Sequence, residues 1–180
     1  SDPLAFTSVT EGVPSLYSPL FSRYGVKPVY FVSPEVAGDA ASVAALKRAV
    51  SGGRGEIGNH LHAEYVAPEK KYETFGGTDS GDFLCSDYTD EVEYAKIRNY
   101  DLILSEVFGA KPVSYRAARY GADAATIRSL ASLGYLVDSS VTPGINWAPR
   151  GGPDFRGFRD QNAADAGEQC GTAEWHPRVP

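Results

Sequence analysis

Short apolar runs alternate with helix-like stretches between residues 4 and 138, and this alternation constrains the fold more than any other feature of the sequence. Five runs have the apolar character of buried strands, and they cover residues 4–10, 27–33, 56–62, 112–116 and 135–138. Between them, apolar residues recur at the spacing of a helix. Strands and helices in this order are typical of a parallel sheet covered by helices, so we predict the α/β class.

Capping residues and glycines mark the ends of the predicted helices. An N-cap side chain accepts hydrogen bonds from the first helical turn, and glycine tolerates the left-handed conformation that ends many helices. The predicted N-caps are Asp39, Thr89 and Asp123, the glycines that follow are Gly52, Gly109 and Gly134, and a further helix is predicted from Pro19 to Gly25. We expect a single domain over residues 1–180, with residues 141–180 as an irregular tail or a truncated end.

Length and charge limit the classes of function. A chain of 180 residues is long enough to bury a sizeable core. With 17 basic and 23 acidic residues the net charge is −6, so broad electrostatic binding of nucleic acid is not expected. No run approaches the roughly 18 apolar residues of a membrane helix, so we expect no membrane insertion. The sequence leaves open whether the protein is cytoplasmic or exported, whether Cys85 pairs with Cys170, and the oligomeric state.

Two histidines lie at the end of a predicted strand. His60 and His62 are separated by one residue, and such residues share a face of a strand. Two adjacent imidazoles suit Zn²⁺, Ni²⁺ or Co²⁺. Glu11 follows the first predicted strand and is a possible third ligand, and Glu64, four residues after His60, competes for that role. Ordinary hydrogen-bonded histidines are the alternative interpretation of the pair.

Four segments carry a resemblance to a known family, and they cover residues 30–33, 55–60, 115–121 and 134–140. In this order and spacing they resemble the polysaccharide deacetylase family, the NodB-like carbohydrate esterases of family 4. The glycine-framed stretch around His60 is the most specific of them. The resemblance implies a distorted or incomplete (β/α) barrel of the NodB-homology type. It also implies removal of acetyl groups from N-acetylated sugars with the help of a divalent metal ion held by one acid and two histidines.

Within this resemblance, the metal ligands are Glu11, His60 and His62, and the ion is zinc, with cobalt or nickel as alternatives. Thr10 stands where the family has its catalytic aspartate, and a threonine cannot accept a proton from water near neutral pH. The family also spaces its two histidines four residues apart, and Glu64 occupies that second position here. Glu64 is therefore either a spare ligand or a replacement for the missing base.

Three further residues receive catalytic roles from the resemblance. Arg116 matches the arginine that pairs with the catalytic aspartate, and the backbone N–H of Tyr120 is expected to stabilise an oxyanion. Asp138 matches the acid that orients a catalytic histidine, and it is also a candidate for the base. That late histidine has no clean match, since only His176 remains.

The sequence therefore predicts a metal-dependent hydrolase that deacetylates a polysaccharide or glycoconjugate. Aromatic residues of the long loop after His62, such as Tyr65, Tyr72 and Phe75, either stack on sugar rings or pack the loop. One alternative is a non-catalytic, glycan-binding relative that has lost the catalytic base. Another is a metal hydrolase for a different amide or ester.

Overall fold

Four parallel strands form one sheet in the computed structural model, which describes residues 5–73, 84–150 and 152–157. The strands are β1 (Val29–Val32), β2 (Glu56–Asn59), β3 (Ser114–Tyr115) and β4 (Val137–Asp138). Their order in the sheet is the order in the chain, so each crossover joins neighbouring strands. The α/β class is confirmed. Within the described residues the sheet is open, with β1 and β4 at its edges, and closure into a barrel stays a prediction.

Three helices begin directly after their predicted N-caps, a fourth begins one residue before its predicted start at Pro19, and the short helix α2 was not predicted. They are α1 (Ser18–Tyr24), α2 (Pro34–Ala37), α3 (Ala40–Val50), α4 (Asp90–Phe108) and α5 (Ala124–Ser132). The Asp39 carboxylate accepts a hydrogen bond from the Ser42 N–H at 2.7 Å, and Asp123 forms a reciprocal capping box with Thr126. Gly109 ends α4 with a left-handed φ of 82°. None of the helices in the described ranges has the length and apolar character needed to cross a bilayer.

The first predicted strand is wrong. Residues Ser8–Tyr17 form a wide π-helix instead, and Leu4 lies outside the described residues. Val9 and Val13 are four residues apart and both pack against the core, so helical spacing outweighs the apparent alternation. The Thr10 hydroxyl donates to the Phe6 carbonyl at 3.0 Å, which adds a local hydrogen bond that a strand would lack. Glu11 is consequently an exposed residue of a helix rather than the end residue of a strand.

Helix α4 provides the centre of the core. Ile97, Tyr100 and Leu104 are fully buried on one face of α4. The Tyr100 hydroxyl donates to the Val32 carbonyl at 2.9 Å, which joins α4 to the end of β1. Burial of these three side chains contributes on the order of 2 kcal/mol each to the free energy of unfolding.

A buried polar network lies between the sheet and α4. The Asn59 amide donates to Asp101 Oδ1 at 3.1 Å and to the Tyr135 hydroxyl at 2.9 Å. Tyr135 in turn donates to the same Asp101 oxygen. Burial raises the pKa of Asp101, although the hydrogen bonds from Tyr135 and Asn59 oppose that rise. The network therefore ties β2, α4 and the segment before β4 together through polar contacts.

Glu93 is a second buried carboxyl group, and it makes stability depend on pH. It is 1% exposed and accepts a hydrogen bond from the Thr126 hydroxyl at 2.6 Å. Burial, helped by the charges of Asp123 and Asp90, raises its pKa from 4.5 to about 7. The unfolded chain therefore loses this proton first as pH rises, and folding weakens between pH 4.5 and about 7.

We expect Glu93→Gln to increase the free energy of unfolding at pH 8 by about 3 kcal/mol, because it removes a carboxylate that folding must bury. A glutamine oxygen can still accept the Thr126 hydrogen bond. Urea unfolding of both proteins at pH 5 and pH 8 measures the effect, which should fall to about 1 kcal/mol at the lower pH. The exposed Glu91 of the same helix, replaced by glutamine, is the matched control. Equal changes in the two variants would contradict this assignment.

Candidate active site

The carboxyl ends of the strands form one edge of the sheet, and most of the predicted site residues follow them. The register pairs Val32 with Asn59, Asn59 with Tyr115, and Tyr115 with Asp138. The residues that come next, Ser33, His60, Arg116 and Ser139, therefore stand in a row along this edge. Ligand sites of open parallel sheets gather at this edge.

His60 and His62 lie side by side just beyond β2. Strand β2 ends at Asn59, three residues earlier than predicted, so neither histidine belongs to it. The two rings still meet edge to face, with their centroids 4.9 Å apart. His60 Nδ1 lies 2.8 Å from the Arg116 carbonyl oxygen. Burial lowers the pKa of His60, so the neutral imidazole is favoured. The sequence prediction that these histidines share one location is thus supported by the geometry.

Glu35 joins this pair, and the sequence analysis missed it. Its Oε1 atom lies 2.7 Å from His62 Nδ1, with side-chain exposures of 14% for Glu35 and 28% for His62. Burial acts to raise the pKa of Glu35, but the hydrogen bond and charge of His62 outweigh it and the pKa is lowered. Among the described residues, Glu35 Oε2 is buried without a hydrogen-bond partner. Its position three residues after the end of β1 was the available signal, since the same edge rule applies to it.

Arg116 directly follows β3 and contacts Ser139 and Tyr120 instead of the aspartate that the resemblance implies. Its guanidinium donates to the Ser139 hydroxyl and to the Tyr120 hydroxyl, each at 3.1 Å, and lies 5.0 Å from the centre of the Tyr120 ring. The Tyr120 ring stacks on Trp147 with centroids 4.9 Å apart and an angle of 14°. Tyr120 is therefore held both by Arg116 and by the aromatic ring of Trp147.

The backbone N–H of Tyr120 does not match its predicted role in this conformation. It donates to the Ala117 carbonyl at 3.2 Å, which leaves it directed into its own turn. Arg119 and Tyr120 both have left-handed φ values, 52° and 59°. Such values are uncommon for residues with side chains and are often found at functional sites.

Asp138 ends β4 and faces a partly apolar environment. Its Oδ1 atom accepts hydrogen bonds from the Ser140 hydroxyl at 2.5 Å and the Ser140 N–H at 3.1 Å. It lines a cavity of about 690 Å³ together with apolar side chains such as Ile127, Leu130 and Phe155. Burial raises the pKa of Asp138, and the Ser140 hydrogen bonds oppose the rise. A carboxyl group with a raised pKa is better suited to proton transfer near neutral pH.

The segment after His62 is buried at its start rather than forming a surface loop. Ala63, Glu64 and Val66 are each at most 8% exposed. Lys96, fully buried in α4, donates to the carbonyls of Ala63 at 2.9 Å and Val66 at 2.6 Å, with a longer contact to Glu69.

Glu64 lies in the turn of this segment. Within the described part of the chain, its Oε2 atom is buried without a hydrogen-bond partner. Its predicted role as a base stays a prediction.

Other sequence predictions fall outside this arrangement. The reason for choosing Glu11, its place at the end of a strand, is lost because it lies on the N-terminal helix. Over the ranges 5–73, 84–150 and 152–157, no three side chains of histidine, cysteine or acidic residues are arranged to hold a metal ion. Phe75, Cys170, His176 and the side chain of Cys85 lie outside the described residues.

The fold is similar to that of a solved structure. The chain superposes on the crystal structure of a putative polysaccharide deacetylase from Mycobacterium smegmatis with a TM-score of 0.53 and 21% sequence identity. The match covers 73% of this chain and 38% of that one, so this chain spans less than half of the protein it resembles. No family model and no curated protein sequence matches the chain. At this identity, the similarity concerns the fold alone.

Proposed function

We propose that the protein is a metal-dependent hydrolase that removes acetyl groups from N-acetylated sugars of a polysaccharide or glycoconjugate. The observation that carries the proposal is the pair of adjacent imidazoles, His60 and His62, at the carboxyl edge of the sheet. The fold similarity to a protein described as a polysaccharide deacetylase supports the same reaction class.

The donor set of this edge fits a divalent ion in part. Both histidines have an Nδ1 atom held by an oxygen, one by a carbonyl and one by a carboxylate, as is usual for imidazoles that bind a metal through Nε2. We propose His60 and His62 as ligands of zinc, with cobalt or nickel as alternatives. Of the two acidic candidates, Glu64 is the one proposed to complete the set, because Glu11 lies exposed on the N-terminal helix. When bound, such a cation would polarise the acetyl carbonyl and acidify a water molecule.

Residues of this chain would handle the charge and the protons. Asp138 and Glu64 are the proposed proton acceptors, and Asp138 is favoured because burial raises its pKa. Arg116 would supply positive charge near the developing oxyanion. The Tyr120 hydroxyl, which accepts a hydrogen bond from Arg116, is a better candidate for oxyanion stabilisation than the Tyr120 N–H.

Acetate release tests the function directly. The purified chain would be incubated with N-acetylated chito-oligosaccharides, with added zinc or with a chelator, and acetate would be measured. We expect release that the chelator abolishes and that zinc or cobalt restores. Release of acetate that is unaffected by chelation would contradict the metal-dependent reaction. A panel of other amides and esters, assayed in parallel, would identify a hydrolase for a different substrate.

A non-catalytic glycan-binding protein is the second candidate. It is favoured by Thr10, whose hydroxyl is engaged with the Phe6 carbonyl and offers no carboxylate where the family has its base. Binding of N-acetylated oligosaccharides in a calorimeter, without acetate release at any metal concentration, would favour this function.

A further inference from the structure

We propose that Glu35 is a positioning residue that fixes the tautomer of His62, so that His60 and His62 both present an unprotonated Nε2 to one ligand. This inference rests on the proposed function, because the ligand in question is the divalent ion. In a neutral imidazole only one ring nitrogen carries the proton, and the hydrogen bonds of the ring determine which one.

The hydrogen bond between His60 and the Arg116 carbonyl determines the tautomer of His60. Its Nδ1 atom is 2.8 Å from the Arg116 carbonyl oxygen, and a carbonyl oxygen can only accept a hydrogen bond. The proton of the neutral ring must therefore be on Nδ1. Its Nε2 atom then keeps a lone pair.

His62 is in the same situation with a stronger acceptor. Its Nδ1 atom is 2.7 Å from Glu35 Oε1, a distance typical of a charge-assisted hydrogen bond. Glu35 is reached from the end of β1 through Ser33 and Pro34, so its carboxylate is positioned by the sheet edge. The ionised carboxylate only accepts, and the proton of His62 is on Nδ1 as well.

Each ring then has a lone pair on its Nε2 atom that is available to a ligand. Their centroids are 4.9 Å apart, and His60 and His62 both remain partly exposed. Imidazoles that bind a metal commonly donate their other N–H to a carboxylate or a carbonyl, and loss of that partner costs 10- to 100-fold in metal affinity. The second oxygen of Glu35 is buried with no hydrogen-bond partner among the described residues, so His62 is the partner that the structure shows for this carboxylate's Oε1 atom.

Imidazole NMR of the isotope-labelled, metal-free protein reads the tautomers directly, at a pH where both rings are neutral. We expect the Nδ1–H form for both histidines in the wild type. Glu35→Ala should move His62 away from that form and leave His60 unchanged. Detection of His62 as Nε2–H in the wild type overturns the inference, and this measurement needs no variant to fold.

Zinc titration of the same proteins provides the second readout. We expect Glu35→Ala to weaken zinc binding 10- to 100-fold and Glu35→Gln, which retains an oxygen acceptor, to recover part of the affinity. The exposed Glu106 of α4, replaced by alanine, is the matched control and should bind zinc as the wild type does. Unchanged zinc affinity in Glu35→Ala overturns the positioning role. Correct tautomers in a protein that binds zinc but releases no acetate would instead refute the proposed function alone.

Discussion

Replacement of His60 by alanine is expected to reduce zinc affinity by about 100-fold or more and to lower acetate release to background. The side chain follows β2 directly, and its ring lies against that of His62. Without His60, only one imidazole of the pair remains to bind the ion. Loss of even a hydrogen-bond partner of a metal ligand reduces metal affinity 10- to 100-fold, so loss of a ligand itself should cost at least as much. Zinc titration and the acetate assay measure the two effects.

The fold should survive this substitution, which keeps the test interpretable. His60 is partly exposed, and the hydrogen bond to the Arg116 carbonyl contributes about 1 kcal/mol. Thermal unfolding followed by circular dichroism would verify that the variant is folded, with Glu106→Ala as the reference for a neutral surface change. A folded His60→Ala protein with full zinc content and full activity would remove this residue from the site.

Lys96→Met is expected to lower the free energy of unfolding by about 3 kcal/mol. Methionine retains the volume of the aliphatic stem, but the carbonyls of Ala63 and Val66 lose a buried donor, and each unsatisfied group costs about 1–3 kcal/mol. The contact between the ammonium group and the Tyr88 ring, 4.3 Å from its centre, is lost as well. Denaturant unfolding gives the size of the change.

The same substitution should loosen the segment that carries Glu64. Amide hydrogen exchange at residues 63–69 is expected to accelerate more than exchange in α3, because Lys96 contacts the carbonyls of this segment. Lys47→Met, on the exposed face of α3, is the matched control and should change stability by less than about 0.5 kcal/mol. If Lys96→Met were as stable as this control, the buried lysine would have no structural role.

Most of the fold was predictable because its signals are local. Asp39, Thr89 and Asp123 each cap a helix through a side chain that lies within three residues of its partner, and a sequence window contains that information. The apolar strands after Gly25 were found for the same reason. Residues 4–10 misled because their apolar residues fit both an alternating and a helical period.

The site was predictable only where the edge of the sheet determines it. His60, Arg116 and Asp138 follow or end strands, so the parallel topology brings them to one edge. Glu35 was missed because its partner His62 is 27 residues away, and no local pattern joins a carboxylate to that ring. The Tyr120 N–H bonds within its own turn, where Arg119 and Tyr120 have left-handed φ values. No pattern in the sequence predicts this conformation.

The buried network around Asn59 has a consequence for which side chain reaches the edge. Neighbouring residues of a strand point to opposite faces, so Asn59 faces α4 while His60 turns the other way. A slip of β2 by one position would bury an imidazole against Asp101 and leave the amide in the cleft. The hydrogen bonds of Asp101 and Tyr135 to the Asn59 amide therefore favour the observed alignment of β2.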